Sequence, residues 1–363
     1  MTAARRSNGR DRGHSSGRSQ YGPGMRAIVQ DRYGPVEGLR LGEVARPEPA
    51  EDEVLVQVRA ASVHPDVWHV VTGQPTVLRL MGSGVRHPKD RVPGTDVAGV
   101  VESVGVAVTR FRPGDEVFGE TIRGVQWRNG GAFAEYATAP EEGVALKPSG
   151  VSFQEAATVP TAGLIALNNL PQRRVPFGCR VLINGAAGGV GAIAVQLARA
   201  YGAEVTGVDH ERKLALVRSM GADRVIDYTR EDFTRGGERW DLIFDVPGNH
   251  SFQEIRRALH PHGGYVLIGH DAFGAAGHHW LGSIPRMLGL MARSAVVPEL
   301  RGGSFASPDK RRLMSTLAQF LETGQLRVVI DRAFPLAQVP GALRYLVSGQ
   351  PAGRVVVVVS GSP

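Results

Sequence analysis

The chain has 363 residues, and at roughly 150 residues per domain that length predicts two domains. Its 42% apolar and 21% charged residues exclude a disordered, fibrous or coiled-coil protein, and the single cysteine, Cys179, excludes a disulfide framework and a multi-cysteine zinc site. Of the net charge of +7, residues 1–24 carry +4 (Arg5, Arg6, Arg10, Arg12 and Arg18 against Asp11), so the remainder is only mildly basic and holds no concentrated nucleic-acid-binding block.

Taken in chain order, residues 1–24 are Arg, Ser and Gly with almost no apolar side chains, and they read as a disordered basic tail. Met25 is an alternative start. A transit peptide is the rival reading, although no apolar face accompanies the arginines. From Met25 the pattern is one of short strands: Arg26–Gln30, Glu53–Ala60, Asp96–Val104, Glu116–Phe118 and Ala134–Ala137. Turn pairs such as Pro93-Gly94 and Pro113-Gly114 separate them, which predicts a β-rich, barrel-like domain. Pro65–Pro88 reads as loop-rich and suited to face a substrate.

After Ser152 strands and helices alternate. Strands are expected at Arg180–Asn184, Glu204–Val208, Arg224–Asp227, Asp241–Asp245 and Gly264–Ile268. Helices are expected at Gly189–Tyr201, Glu211–Met220 and Phe252–Leu259. This alternation predicts an α/β domain with a doubly wound parallel sheet. A helix over Asp309–Glu322 and a strand over Arg354–Val359 close the chain. The longest aliphatic run, Val355–Val359, is far shorter than the roughly 18 residues of a membrane span, so the expectation is a cytoplasmic protein with no membrane segment.

The strongest local signal is Asn184-Gly185-Ala186-Ala187-Gly188-Gly189-Val190-Gly191, set between a predicted strand and a predicted helix. A dinucleotide's pyrophosphate needs a tight turn, close approach of the backbone and the free N–H groups of a helix N-terminus. Gly188 removes a side chain that would block the phosphates, and Gly191 lets helix and strand pack. Asp209 lies eighteen residues beyond Gly191, where a carboxylate accepts from the ribose hydroxyls and favours NAD. Arg212 and Lys213 follow at once and suit a 2′-phosphate instead, so the charges point both ways with a slight lean to NAD. Asp209 as a helix cap is the plain alternative.

Pro93-Gly-Thr-Asp-Val-Ala-Gly-Val-Val-Glu-Ser-Val-Gly105, Phe111-Arg-Pro-Gly-Asp-Glu-Val-Phe-Gly119 and Gly131-Ala-Phe-Ala-Glu-Tyr136 precede the glycine turn, and Ala352-Gly-Arg-Val-Val ends the series. In this order the motifs resemble the medium-chain dehydrogenase/reductase superfamily from Met25 nearly to the end. The resemblance implies a GroES-like catalytic domain from 25–151 and 304–363, a Rossmann-like domain over 152–303, a cleft between them, and a homodimer. It also implies a zinc site, whose ligand positions here hold His64, Thr95 and the region of Thr161. None of these makes the Cys-His-Cys set, so the chain resembles the zinc-independent, quinone oxidoreductase-like branch. The expected cofactor is NAD(P)H without zinc, and the expected chemistry is hydride transfer to a quinone, enone or other small carbonyl compound.

A proton source must then come from the protein or from water. The candidates are His69, spaced from His64 as the alcohol dehydrogenases space a relay histidine, together with His64 itself, Asp66 and Tyr33. His69 holding a ribose or a backbone carbonyl is an equal alternative, and Asp66 also suits a ribose hydroxyl or a helix cap. Trp68 reads as core. Arg354 is expected at the pyrophosphate, and Gly248 and Gly269, just past two strands, at the nicotinamide end. Thr161 is grouped with the cofactor residues. The pair His278-His279 lacks ligand spacing. The rivals are an alcohol dehydrogenase or carbonyl reductase with His69 as relay, and a catalytically silent nucleotide-sensing or RNA-binding relative.

Overall fold

The computed structural model describes residues 24–124, 127–171, 175–269, 280–281, 284–302 and 309–359. Its first apolar run forms β1 (Gly24–Val29), paired antiparallel with β2 (Arg40–Ala45). Gly24, assigned to the tail by sequence, is thus the first strand residue; residues 1–23 lie outside the described part. β2 has only exposed and half-buried positions, so it lacks the apolar alternation that reveals β1.

β3 (Glu53–Val63) follows, and then α1 (Pro65–Thr72), within a stretch read as loop-rich apart from a helix that Asp66 could cap. Pro65 fits the first helical turn because its missing N–H needs no partner there. Val67 through Thr72 are all buried, so the helix has no polar stripe to betray its period. Gly73, at φ 63°, ends it in the left-handed region. β4 (Asp96–Val104), β5 (Glu116–Glu120), β6 (Tyr136–Pro140) and β7 (Val144–Leu146) complete the first run of strands. The strand expected from Ala134 begins two residues later, Ala134 itself making an isolated bridge to Ala27.

Two helices, α2 (Phe153–Ala157) and α3 (Pro160–Asn169), then lead into the parallel sheet. It contains β8 (Arg180–Asn184), α4 (Gly189–Ala200), β9 (Glu204–Asp209), α5 (Leu214–Ser219), β10 (Arg224–Asp227), β11 (Trp240–Asp245), α6 (Phe252–Arg257) and β12 (Leu259–Leu267). The single helix expected over Glu211–Met220 is a 3₁₀ turn, Glu211–Lys213, followed by α5. The strand expected at Gly264 begins at Leu259, because Trp240 also pairs there across an irregular register. Strand order is β10-β9-β8-β11-β12, so the winding direction reverses between β8 and β11. An open α/β sheet has its crevice at the C-terminal ends of those two strands.

After α7 (Ile284–Ser294) and α8 (Lys310–Glu322), the chain returns to the first sheet through β13 (Ile330–Pro335), α9 (Val339–Val347) and β14 (Arg354–Val358). The order β13-β14-β3-β4-β5-β7, with β6 also on β3, makes the large sheet from both ends of the chain. One apolar cluster runs from Ala60, Ala98 and Phe118 of this sheet, through α2 and α3, to Ile183 and Ile193 beside the glycine turn and Leu317 of α8. Burial shared in this way seats the two sheets against each other. Among the described residues no helix is long and apolar enough to cross a membrane.

Candidate active site

β8 ends at Asn184, and Gly185 (φ 77°) turns the chain back so that Gly185 and Ala186 donate to Val208 O at 2.9 and 3.0 Å. Gly188 then caps α4 in extended conformation, and Gly188 O accepts from Ala192 N at 2.8 Å. A side chain at Gly191 would overlap Gly185 O and crowd Ala186, so only glycine lets α4 start this close to β8. At Gly188 a Cβ would meet only Gly185 O, at 3.2 Å, and otherwise projects into open space. That is the expected difference between a packing glycine and one that keeps a ligand path clear.

Asp209 does not extend freely beyond β9. Its Oδ2 accepts from Ala187 N at 2.8 Å and its Oδ1 from His210 N at 2.8 Å, and the residue is buried. Its carboxylate therefore braces the glycine turn. Arg212 donates to Gly349 O at 2.6 Å, while burial pulls the half-buried Lys213 ammonium below its ordinary range. Asn184 points away from the turn, donating to Asp245 Oδ1 at 2.9 Å and Asn249 Oδ1 at 3.1 Å. Asp245 also accepts from Tyr265 OH and Gly248 N, so Asn184 and Gly248 belong to one network under the switch point. Gly269 N donates to Val246 O at 2.9 Å. Arg286 of α7 binds Gly248 O and His250 O, a link the sequence did not reveal.

The other wall comes from the large sheet. β14 pairs antiparallel with β3, Val355 opposite Val63, which brings Arg354 level with His64. Arg354 reaches Ser62 Oγ at 3.4 Å and Thr158 O, and its guanidinium lies so close to Gly189 that a Cβ there would collide with it. Among the described residues its buried Nε has no hydrogen-bond partner. Burial lowers this guanidinium to about 10. A pocket opens beside it, lined by Thr158, Ala187, Gly189, Ala192 and Gln196 among others. A half-paired cation at the N-terminus of α4, against a turn cleared of side chains, fits a dinucleotide's pyrophosphate.

Next to Arg354 the three superfamily zinc positions meet as a hydrogen-bonded chain. His64 Nε2 lies 2.9 Å from Thr95 Oγ1, and Thr95 Oγ1 lies 3.4 Å from Asp96 Oδ1. Thr161, grouped with the cofactor residues by sequence, instead bonds Asp96 through both its N–H (3.1 Å) and its hydroxyl (2.6 Å). Burial holds His64 below the usual imidazole range and raises Asp96 to about 6. Asp66, half-buried and 4.0 Å from His64 Nδ1, is raised for the same reason. Zinc takes thiolate, imidazole or carboxylate donors, and threonine hydroxyls do not serve. Of the three positions only His64 supplies a donor, so the residues present do not fit zinc. Among the described residues no group of three or more His, Cys, Asp or Glu side chains is placed to hold a metal.

Two sequence candidates have other occupations. His69 Nδ1 bonds Gln74 O at 2.7 Å, and its ring packs edge-on to Trp68 and Trp127. Tyr33 donates to Gly84 O at 2.7 Å beneath the Arg79 guanidinium. Both tie down the segment after α1. Trp68 is core, as expected. Cys179 packs against the main apolar cluster, and burial pushes its thiol up to about 11. His278-His279 lies outside the described residues. Glu120 and Lys310, both buried beside Thr161, went unseen in the sequence; the only hint was a charged residue ending the apolar strand Val117–Gly119.

The families described as "Alcohol dehydrogenase GroES-like domain" and "Zinc-binding dehydrogenase" match residues 50–149 and 220–357. The chain is 33% identical over 344 residues to the 2-methylene-furan-3-one reductase of Solanum lycopersicum, covering 92% of this chain and 79% of that one. It is 32% identical over 346 residues to the chloroplastic NADPH-dependent alkenal/one oxidoreductase of Arabidopsis thaliana, with the same coverage of 92% and 79%. The quinone oxidoreductase structure from Coxiella burnetii superposes with a TM-score of 0.69 at 25% identity, over 93% of this chain and 100% of that one. With the glycine turn, the returning C-terminal strand and the cleft between two sheets, these similarities place the chain in the medium-chain dehydrogenase/reductase superfamily, in its quinone oxidoreductase-like branch.

Proposed function

We propose that this protein is an NAD(P)H-dependent oxidoreductase that reduces quinones or enones without zinc. The observation that carries the reading is the hydrogen-bonded chain His64–Thr95–Asp96–Thr161 at the superfamily's metal positions, set beside a pyrophosphate cradle. Bound in that cradle, the nicotinamide would supply the hydride. Arg354 and the first turn of α4 hold the phosphates, Gly188 leaves the path open, and Asp209 stiffens the turn by accepting from Ala187 N. On the acceptor side His64 and Thr95 offer neutral hydrogen-bonding groups. Such groups suit an acceptor already activated by conjugation better than an alcohol, which needs a Lewis acid. The relatives named as reductases of alkenals and furanones support the same substrate class.

The test is loss of NAD(P)H absorbance across a panel of quinones and enones, with product analysis. Saturation of C=C or two-electron quinone reduction, unchanged by chelators, is expected. Stoichiometric zinc with chelator-sensitive alcohol oxidation would overturn the reading.

Cofactor choice follows from Asp209. The lean from Asp209 alone is slightly to NAD; its two backbone contacts, the neighbouring Lys213 and a relative named as NADPH-dependent support NADPH instead, with Lys213 toward the 2′-phosphate. Lys213→Ala should lower kcat/KM with NADPH about tenfold to a hundredfold and spare NADH, the scale of a hydrogen bond to a charged group. Asp209→Ser should weaken both cofactors, because the turn loses its brace. Equal losses with both cofactors in Lys213→Ala would return the ribose to Asp209.

A further inference from the structure

Behind the acceptor wall, Asp96 and Thr161 continue into a buried set of ionisable side chains that includes Glu120 and Lys310. Asp96 and Glu120 are 0% exposed, Thr161 4% and Lys310 6%. The Thr161 hydroxyl lies 2.6 Å from Asp96 Oδ1 and 2.7 Å from Glu120 Oε1. A hydroxyl carries one proton. Were both carboxyls ionised, one of these short contacts would press two acceptors together with no hydrogen between them. Two negative charges would also share a dry site in which, among the described residues, only Lys310 is paired directly with a carboxylate. A second proton satisfies both contacts: one carboxyl donates to Thr161, and Thr161 donates to the other. Lys310 Nζ, 2.6 Å from Glu120 Oε2 and 2.9 Å from Ile122 O, decides the direction, because its positive charge holds the anion on Glu120. The order is then Asp96 O–H to Thr161 O–H to Glu120, with Lys310 closing the chain.

We propose that Thr161 couples Asp96 and Glu120 into a pair holding one shared proton, that the Lys310–Glu120 ion pair places this proton on Asp96, and that the neutral Asp96 leaves Arg354 uncompensated for the cofactor's pyrophosphate. Lys310 and Glu120 are thus positioning residues, acting through Thr161 and Asp96. The proposal rests on the reading of Arg354 as a phosphate ligand. The ionisable and charged groups around Asp96 are His64 and Asp66 at the start of α1, Glu120 of β5 and Arg354 of β14, with Lys310 of α8 behind Glu120. Burial keeps His64 neutral and raises Asp66, so neither supplies the missing charge. The raised carboxyl of Asp96 agrees with the geometry, and Arg354 favours its ionised form, so ionisation of Asp96 would offset part of the positive charge that the guanidinium offers the pyrophosphate.

ADP-ribose is the probe, since it carries the pyrophosphate without a titrating 2′-phosphate, and calorimetry reads its affinity between about pH 5 and pH 9. In the wild type, affinity should fall about tenfold as pH rises through the ionisation of Asp96, the scale of one charge-assisted contact. Asp96→Asn should abolish the fall. Glu120→Gln, which leaves Lys310 unpaired beside the site, should move it to lower pH; Lys310→Met, which frees the pair to hold its proton harder, should move it to higher pH. Infrared spectroscopy of the wild type should show a buried neutral-carboxyl band below the fall that is absent from Asp96→Asn. Affinity independent of pH in the wild type, together with loss of binding in Arg354→Gln, overturns the shared proton and keeps the dinucleotide reading. A fall abolished by His64→Gln but not by Asp96→Asn also overturns it. Unchanged binding in Arg354→Gln removes the dinucleotide reading, and the proposal with it.

Discussion

Gly188 and Gly191 stand three residues apart and answer to different demands. A methyl at Gly191 meets the backbone of its own turn, so Gly191→Ala must displace α4 from β8. Overpacking of this kind costs about 1–3 kcal/mol, and urea unfolding should register it without any cofactor. At Gly188→Val, by contrast, the Cβ meets only one oxygen, at 3.2 Å, and the variant should fold normally. Its loss is of dinucleotide affinity, read by calorimetry on the folded variant. Asp96 makes a different kind of prediction. Its carboxyl, raised by burial from 3.8 to about 6, binds a proton more tightly folded than unfolded. Its contribution to stability is therefore complete below the unfolded value and is lost as pH rises through the folded one. The difference approaches 3 kcal/mol, on the order of 1.4 kcal/mol for each pH unit. Unfolding free energies at acid and neutral pH should show Asp96→Asn gaining on the wild type as pH rises. A constant difference would mean that Asp96 ionises as freely in the fold as outside it.

α2, α6 and α8 begin where a side chain satisfies a free N–H group. Ser251 and Glu254 form a reciprocal capping box on α6, Glu254 N donating to Ser251 Oγ at 3.3 Å and Ser251 N to Glu254 Oε2 at 2.8 Å. Ser152 and Glu155 repeat it on α2. Ser251→Ala should cost about 1 kcal/mol, seen as a lower Tm with cofactor affinity little changed. α4 has no such cap. Its N-terminus is capped by Gly188, with no side-chain acceptor, where Asn, Asp or Ser would accept from a free N–H group. A helix start left open in this way is consistent with an anion as its natural partner.

Across the whole molecule, the two sheets meet through polar clamps as well as the shared apolar cluster. Gln196 of α4 is buried and bonds residue 327 twice, accepting from Arg327 N at 2.8 Å and donating to Arg327 O at 3.1 Å. Gln196→Ala removes two part-buried hydrogen bonds to the Arg327 backbone and should cost about 1–3 kcal/mol. Because the clamp lies on the same wall as Arg354, Tm and cofactor affinity should fall together. A change in Tm alone would show the clamp to be independent of the site.

The glycine turn, β3, β4, β8 and the parallel series were legible because strong local rules operate there. Apolar runs between turn residues leave few conformations that bury them, and a strand–glycine–helix junction has one main use. β2 was not legible and α1 only through Asp66 as a possible cap: α1 is buried from Val67 to Thr72, β2 almost nowhere, and neither shows a period. For the site the division is sharper. Gly188, Gly191 and Arg354 could be placed from spacing and resemblance, but the surroundings of His64, Asp96 and Thr161 could not. Asp96 and Thr161 are 65 positions apart, and Lys310 lies 190 beyond Glu120. Periodicity carries no information about which charges will share a dry space. That pairing is decided only when β5, α3 and α8 pack together, because burial alone makes each of those groups require the others.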